Sequence, residues 1–217
     1  MSEQTPNTEL AYRNITISGL PGSGSTTLLN ALREHHLLKF DRWSGFSGGE
    51  YMRDYAQQKG LLDVNGKLHH TANAYSEDFD REVDMSMRTR LQTEDRWILE
   101  SWLSGFFAQG VSGILKILML CSNTAVRVDR IVNRDQVTAE EALDNMNMRY
   151  RTNYAKWRKM YKNEWQEWVV QSGKMSERDP IDFWHPDLYD IVIDTYSTNQ
   201  VEAVEQVIDA ISRKKAD

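Results

Sequence analysis

"GLPGSGSTT", Gly19 to Thr27, decides the reading of this chain. It follows the short β-prone run "NITIS", Asn14 to Ser18, and leads into "TLLNALREHHLL", whose Leu28, Leu29, Leu32 and His36 share one helical face. Strand, glycine-rich turn and helix in that order frame a phosphate-binding loop, G-x-x-x-x-G-K-[ST], except that Ser25 stands where the lysine belongs. A phosphate needs several donors converging at short range. Backbone N–H groups supply them when side chains stay clear, which is the use of Gly19, Gly22 and Gly24. The helix that opens near Ser25 adds its own free N–H groups and positive dipole end. Ser23, Ser25, Thr26 and Thr27 complete the candidate loop for binding ATP, and the Thr26 hydroxyl is placed to ligate Mg²⁺. The alternative is a glycine-rich turn that only caps a helix.

The missing lysine has a measurable consequence. A unit charge about 4 Å from a phosphate oxygen is worth up to ~4 kcal/mol at an effective dielectric near 20. Another cation must therefore reach the site, or catalysis is lost. "VRVDRIVNR" sets Arg127, Arg130 and Arg134 at spacings of three and four along one side of a helix, with Val126, Ile131 and Val132 inward and the arginines outward. A second basic group follows in Arg149, Arg151, Lys156, Arg158 and Lys159. Phosphoryl transfer needs positive charge on the equatorial oxygens, and a mobile helical lid carrying arginines is one way to deliver it. The alternative is a solvated charged face.

The bulk properties set the limits. The chain has 217 residues, 40% apolar and 27% charged, with net charge −6. That is enough chain for a continuous core, and the acidic balance argues against nucleic acid as a partner. The single cysteine, Cys121, reads as a core thiol and suits a reducing compartment. No apolar stretch is long enough to span a bilayer, and "MSEQTPNTEL" lacks a signal pattern, so a cytoplasmic protein is expected.

Apolar runs alternate with helical patterns along the chain. "NITIS", "LLKFD", "RWILES", "ILKILMLCS" and "DIVID" read as five strands separated by helices, which implies a parallel sheet with helices on both faces. "GGEYMRDYAQQKG", "HHTANAYSEDFDREVDMSMRTRLQTE" and "NQVEAVEQVIDAISRKK" read as helices, and "TAEEALDNMNMRYRTNYAKWRKMYKNEWQEWVV" as one long helix or two. Gln171 to Asp187 reads as a surface excursion before the last strand. Trp157, Trp165, Trp168 and Trp184 suit packing on the sheet or a partner subunit, with a base-stacking platform as the alternative. His69 and His70 read as a surface pair.

These motifs together resemble the nucleoside-monophosphate kinases, most closely the short cytidylate kinases of the archaeal type. The similarity runs from about Asn14 to Ile211. "ITISGLPGSGSTT" is similar to their strand and loop, and "FSGGEYMRDYA" to their acceptor-pocket segment, which implies that Ser47, Gly48 and Arg53 face the acceptor monophosphate. "DFDREVD" resembles a segment with aspartates spaced as Asp80 and Asp84 are, and "LESWLSGF" resembles "EGRLAGW", retaining Glu100 and Gly105. "VRVDRIVNR" resembles the helix leading into the lid, where arginines matching Arg130 and Arg134 contact ATP. "RYRTNYAKWRKMY" resembles the return helix of the lid, with Arg149 and Lys156 in its basic positions, and "LYDIVIDT" the last strand.

The resemblance implies a three-layer α/β/α P-loop NTPase fold with a five-stranded parallel sheet. A polar tail over 1–12 precedes one domain over 13–217, with a core of 13–45, 95–135 and 187–217, a monophosphate-binding insert over about 46–94, and a lid with an extra segment over about 136–186. It implies ATP-dependent phosphorylation of CMP or dCMP with Mg²⁺, by a monomer or homodimer, with Arg134, Arg149 and Lys156 neutralising the transferring group and Asp80, Asp84 and Glu100 on the acceptor side. Four departures stand out: Ser25 for the loop lysine, Trp102 for the arginine of "EGR", Ser101 for its glycine, and Lys156 for an arginine with a different hydrogen-bonding fork. They leave open a catalytically weak or inactive nucleotide-binding protein, acting as a sensor or scaffold. A third reading is a nucleic-acid or partner-binding protein that uses Arg149 to Trp184.

Overall fold

A computed structural model describes residues 10–58 and 76–212. The His69–His70 pair, the first nine residues of the tail and the start of the helix expected from Asn73 lie outside the described residues. Five parallel strands form one sheet: β1 (Asn14–Gly19), β2 (Ser44–Ser47), β3 (Trp97–Ser101), β4 (Ile114–Leu120) and β5 (Ile191–Asp194), in the spatial order β2-β3-β1-β4-β5. The central strand β1 is buried along its whole length.

Side chains alternate across the pleat, so each strand feeds two cores. Ile15 and Ile17 of β1 with Leu115, Ile117 and Met119 of β4 pack under α1 (Ser25–Glu34) and α9 (Gln200–Ser212), through Leu28, Leu29, Leu32, Ala203, Val207 and Ile211. On the opposite face, Leu99 and Leu118 join Phe106 and Phe107 of α5 (Ser104–Phe107). Met87 and Leu91 of α4 (Glu77–Thr93) add to the same core, as do Tyr161 and Trp165. Between these layers β1 presents Ser18, whose Oγ accepts from the N–H of Gly105 at 2.8 Å. A Cβ on Gly105 would stand 2.3 Å from Tyr189, so α5 reaches the sheet only because that residue is glycine.

The structure moves the second strand. "LLKFD" is not extended: His36–Phe40 forms the short helix α2, closed by Lys39 N–H to His35 O and Asp41 N–H to Leu37 O. Helical geometry lets Leu38 be fully buried while Phe40 stands out in solvent. The strand is "SGFS", which pairs with β3 from Ser44↔Trp97 to Ser47↔Glu100. His36 likewise leaves the face assigned to it, because α1 stops at Glu34 and His35 is extended.

Beyond the sheet, α3 (Gly48–Gln58) follows β2, and α6 (Thr124–Asp135) follows β4. The long basic stretch divides into α7 (Ala139–Met160), α8 (Lys162–Trp165) and one wide turn at Gln166–Val170. The break falls at Tyr161, whose side chain is fully buried. The segment from Gln171 to Asp187 is not a mere surface excursion. Phe183 and Trp184 are buried in the second core, the Trp184 indole N–H donates to Trp102 O at 2.9 Å, and Tyr154 O–H donates to Ile181 O. Aromatic area buried against aromatic area holds this strap down. Trp165 is buried too, so the tryptophans pack rather than stand as an open platform. No helix among the described residues is long and apolar enough to cross a membrane.

Candidate active site

The phosphate loop sits at the carboxyl end of β1, where the chain must turn sharply into α1. Gly22 and Gly24 both adopt the left-handed region, with φ of 81° and 89°. A Cβ on Gly22 would approach Arg127 O to 2.9 Å, and one on Gly19 would meet Ser23 Oγ at 2.3 Å. Gly24 occupies the N-cap of α1 and no side chain caps that turn, which leaves the first amides of the helix available to an anion. Ser23 Oγ is buried and without a partner among the described residues.

The loop carbonyls are held from behind. Arg127 donates Nε–H and Nη2–H to Pro21 O, both at 3.2 Å. Arg130 donates from Nη1 to Gly22 O at 3.0 Å and to Thr195 Oγ1 at 2.7 Å, and from Nη2 to Thr195 O at 3.0 Å. Thr195 Oγ1 donates in turn to Ser23 O at 3.0 Å. Ser23 N–H closes the turn onto Leu20 O at 3.0 Å, while the carbonyl oxygens of Pro21, Gly22 and Ser23 are engaged from behind. Arg127 and Arg130 of α6 therefore face the loop, where spacing alone says only that they share the outward side of the helix. Burial pushes the Arg127 guanidinium below its ordinary value.

Beside the loop lies a cavity of about 920 Å³ whose walls include Gly24, Thr26, Thr27, Asn133, Arg134 and Tyr196. Arg134 is held by its neighbour, Nε to Asp135 Oδ1 at 2.6 Å and Nη2 to Oδ2 at 2.8 Å. Thr195, Tyr196 and Asn133 escape sequence reasoning as site residues. Only the threonine that ends "LYDIVIDT" carried a signal, as part of the last-strand match.

Ser25 is in the wall of the cavity, but its hydroxyl is turned to a carboxylate. Its Oγ donates to Glu100 Oε1 at 2.7 Å, and Ser47 Oγ donates to Glu100 Oε2, also at 2.7 Å. All three residues are buried. Gly48 follows Ser47 so closely over β3 that a Cβ there would lie 3.2 Å from that of Ser101. Arg53 belongs to α3, and its side chain lies outside the described residues.

On the far side, α4 is tied to α7 and α8. Lys156 Nζ lies 2.5 Å from Asp80 Oδ2, with both side chains about one-tenth exposed. Tyr161 O–H donates to Asp84 Oδ2 at 2.6 Å, and Arg81 pairs with Glu164. Burial, with the charge of Asp80 adding, pushes the Asp84 carboxyl up to about 7 against the opposing hydrogen bond from Tyr161 and the charges of Lys156 and Arg81. The Tyr161 hydroxyl is driven far above its ordinary value by burial and by the same carboxylate. Arg149 lies over Trp102, guanidinium carbon to ring centroid 5.4 Å, and Trp102 packs edge-on against Trp157 at 5.4 Å and Trp184 at 6.4 Å. The structure thus brings together the loop, Arg130, Arg134 and Thr26 on one side, and Ser47, Gly48 and Glu100 beside them. Asp80 and Lys156 are engaged with each other.

Among the described residues no group of three or more histidine, cysteine or carboxylate side chains is arranged to hold a metal. The donors present, the Thr26 hydroxyl at the cavity with Glu100 bonded to the preceding residue, Ser25, suit a hard cation that arrives with phosphate oxygens rather than one held by the protein alone.

A family model described as an AAA domain matches residues 15–153. Cytidylate kinase of Methanosarcina mazei is 30% identical, over 88% of this chain and 92% of its own, and that of Methanosarcina acetivorans 29% identical over the same shares. A crystal structure of an uncharacterized protein from Eubacterium ventriosum superposes with a TM-score of 0.59 at 17% identity, covering 93% of this chain and 99% of that one. That last likeness concerns the fold alone.

Proposed function

The chain belongs to the cytidylate kinase family, and from that premise we propose that it transfers the terminal phosphoryl group of ATP to CMP or dCMP. The observation that carries this reading is the open cradle. Gly22, Gly24, Ser25, Thr26 and Thr27 line a cavity large enough for a nucleotide, with the loop carbonyls drawn away by Arg127, Arg130 and Thr195. In this reading the cradle holds the β-phosphate, and Arg130 keeps the cradle in shape while Arg134 lies along the donor nucleotide. Mg²⁺ entering with ATP would be held by Thr26 and would neutralise charge on the β- and γ-oxygens. Ser47, Gly48 and Arg53 receive the acceptor phosphate, and Asp80 and Asp84 the rest of the acceptor. Arg149 and Lys156 close on the transferring group, which requires Lys156 to leave Asp80. In this reading α3 and α4 of the insert and α7 of the lid close on the bound nucleotides. A reducing compartment, hence the cytoplasm, suits the lone buried Cys121.

A coupled assay across the common nucleoside monophosphates, with Mg²⁺ and enzyme in excess, tests the reading. Preferred turnover of CMP or dCMP is expected, and absence of turnover with every acceptor overturns it. A second reading, a nucleotide-binding protein with little catalysis, draws on two observations: Ser25 is engaged with Glu100, and Lys156 with Asp80. It predicts an ATP-induced rise in melting temperature, of a size set by about 2.7 kcal/mol at a hundredfold excess over Kd, without turnover.

A further inference from the structure

We propose that Ser25 is a positioning residue, which together with Ser47 holds the Glu100 carboxylate as a tie between the donor loop and the acceptor segment. The proposal rests on the functional reading above and assigns the lysine's position a different task. Ser25 opens α1, and Ser47 stands just before α3, where its Oγ also accepts from Glu50 N–H at 3.3 Å. Glu100 lies between them on β3, in register with Ser47 on one side and Ile17 on the other. Its two oxygens are divided, one to each serine. The carboxylate therefore rests against the N-terminal ends of two helices, where negative charge is favoured. Bonds from hydroxyl to ionised oxygen are among the stronger ones, and here all three partners are buried.

A serine hydroxyl has one proton to give. It serves Glu100 or an arriving phosphate oxygen, not both. When the loop fills, any turn of Ser25 toward the nucleotide takes a hydroxyl donor from Glu100 and shifts the balance of the carboxylate toward Ser47. The acceptor segment thereby registers the state of the donor loop. A lysine at position 25 cannot reproduce this. Its ammonium would meet Glu100 as an ion pair and draw the carboxylate away from Ser47, so restoring the usual residue should impair the site.

Amide hydrogen exchange without ligand gives the first test. In Ser25→Ala, amides from Ser47 to Tyr51 should exchange faster by on the order of tenfold, as expected for one lost buried bond, while Ser25→Thr keeps the wild-type rate. The second test is kinetic: Ser25→Ala should raise the acceptor KM several-fold with a smaller change in kcat, Ser25→Thr should restore it, and Ser25→Lys should lower kcat/KM for the acceptor. Unchanged exchange in Ser25→Ala, or a gain in kcat/KM from Ser25→Lys, overturns the proposal. A wild-type chain inactive toward every monophosphate would defeat the functional reading alone, and the ligand-free exchange would still decide whether Ser25 positions Glu100.

Discussion

Lys156 and Asp80 face each other between α7 and α4, nitrogen to oxygen 2.5 Å apart and mostly out of water. The pair joins two parts that the functional reading requires to separate. In the closed pairing the ammonium is neutralised locally and offers little to a phosphoryl group. Removing one partner takes from the other buried charge its mate at 2.5 Å, which costs more than the pair contributes. Asp80→Ala should lose about 2 kcal/mol in urea unfolding, and the double variant with Lys156→Met should lose clearly less than the sum. Lys156→Met should also lower kcat by about a hundredfold with a modest change in the KM for ATP, as for a charge used in the transition state. Additive losses would show that the two residues do not depend on each other.

Gly22 and Gly110 separate backbone strain from cradle geometry. Both have positive φ, 81° and 74°, but a Cβ on Gly22 would strike Arg127 O, whereas one on Gly110 would meet nothing within 4 Å. Gly110→Ala should cost about 1 kcal/mol from conformation alone. Gly22→Ala should cost more, and should weaken ATP binding by at least about tenfold because the amides it orients would shift. Isothermal titration with ATP distinguishes the two. Equal nucleotide affinity in both variants would mean that the loop does not bind phosphate.

Arg130 and Arg134 lie on the same helix and should fail differently. Arg130 is committed to Gly22 O and Thr195, whereas Arg134 lines the cavity and pairs with the adjacent Asp135. Arg130→Ala should lower both the melting temperature and the affinity for ATP, since it releases the loop from β5. Arg134→Ala should raise the KM for ATP severalfold with little effect on melting. The reverse pattern would contradict the roles assigned to them.

That division of labour marks how far the sequence could be read. The strands β1, β3, β4 and β5 were legible because each is a run of branched or long apolar residues next to a turn signal. The cradle was legible because glycine spacing has a direct conformational meaning. β2 was not: "SGFS" holds one large apolar residue, and it is extended because β3 offers it a pairing edge 53 residues further on. The arginines were visible as a ladder, but periodicity says which side of a helix they share, not that Pro21 O and Gly22 O wait there. The absence of the lysine was plain, while the partner that makes use of Ser25 lies 75 residues away in sequence. Contacts of that range come from the assembled sheet, and no local pattern encodes them. Trp102 stands where the resemblance implies an arginine, and the structure shows it packed beneath Arg149.

Asp84 supplies a pH dependence whose sign is fixed by its surroundings. Its carboxyl is pushed up to about 7 from an ordinary 3.8, burial being the largest cause. The folded state thus holds this proton more tightly than the unfolded chain does. The group favours folding fully below about pH 4, and that contribution is lost as pH rises toward 7. Asp84→Asn keeps an oxygen able to accept from Tyr161 O–H but removes the ionisation. The variant should come closest to the wild type at about pH 4 and exceed it at pH 8, the gap widening by roughly 1 kcal/mol for a residue that retains some contact with water. Urea midpoints at the two pH values measure the difference. A variant less stable than the wild type at pH 8 would mean that Lys156 and Arg81 compensate the buried carboxylate fully, and that its charge rather than its neutral form is what the α4–α7 contact is built to hold.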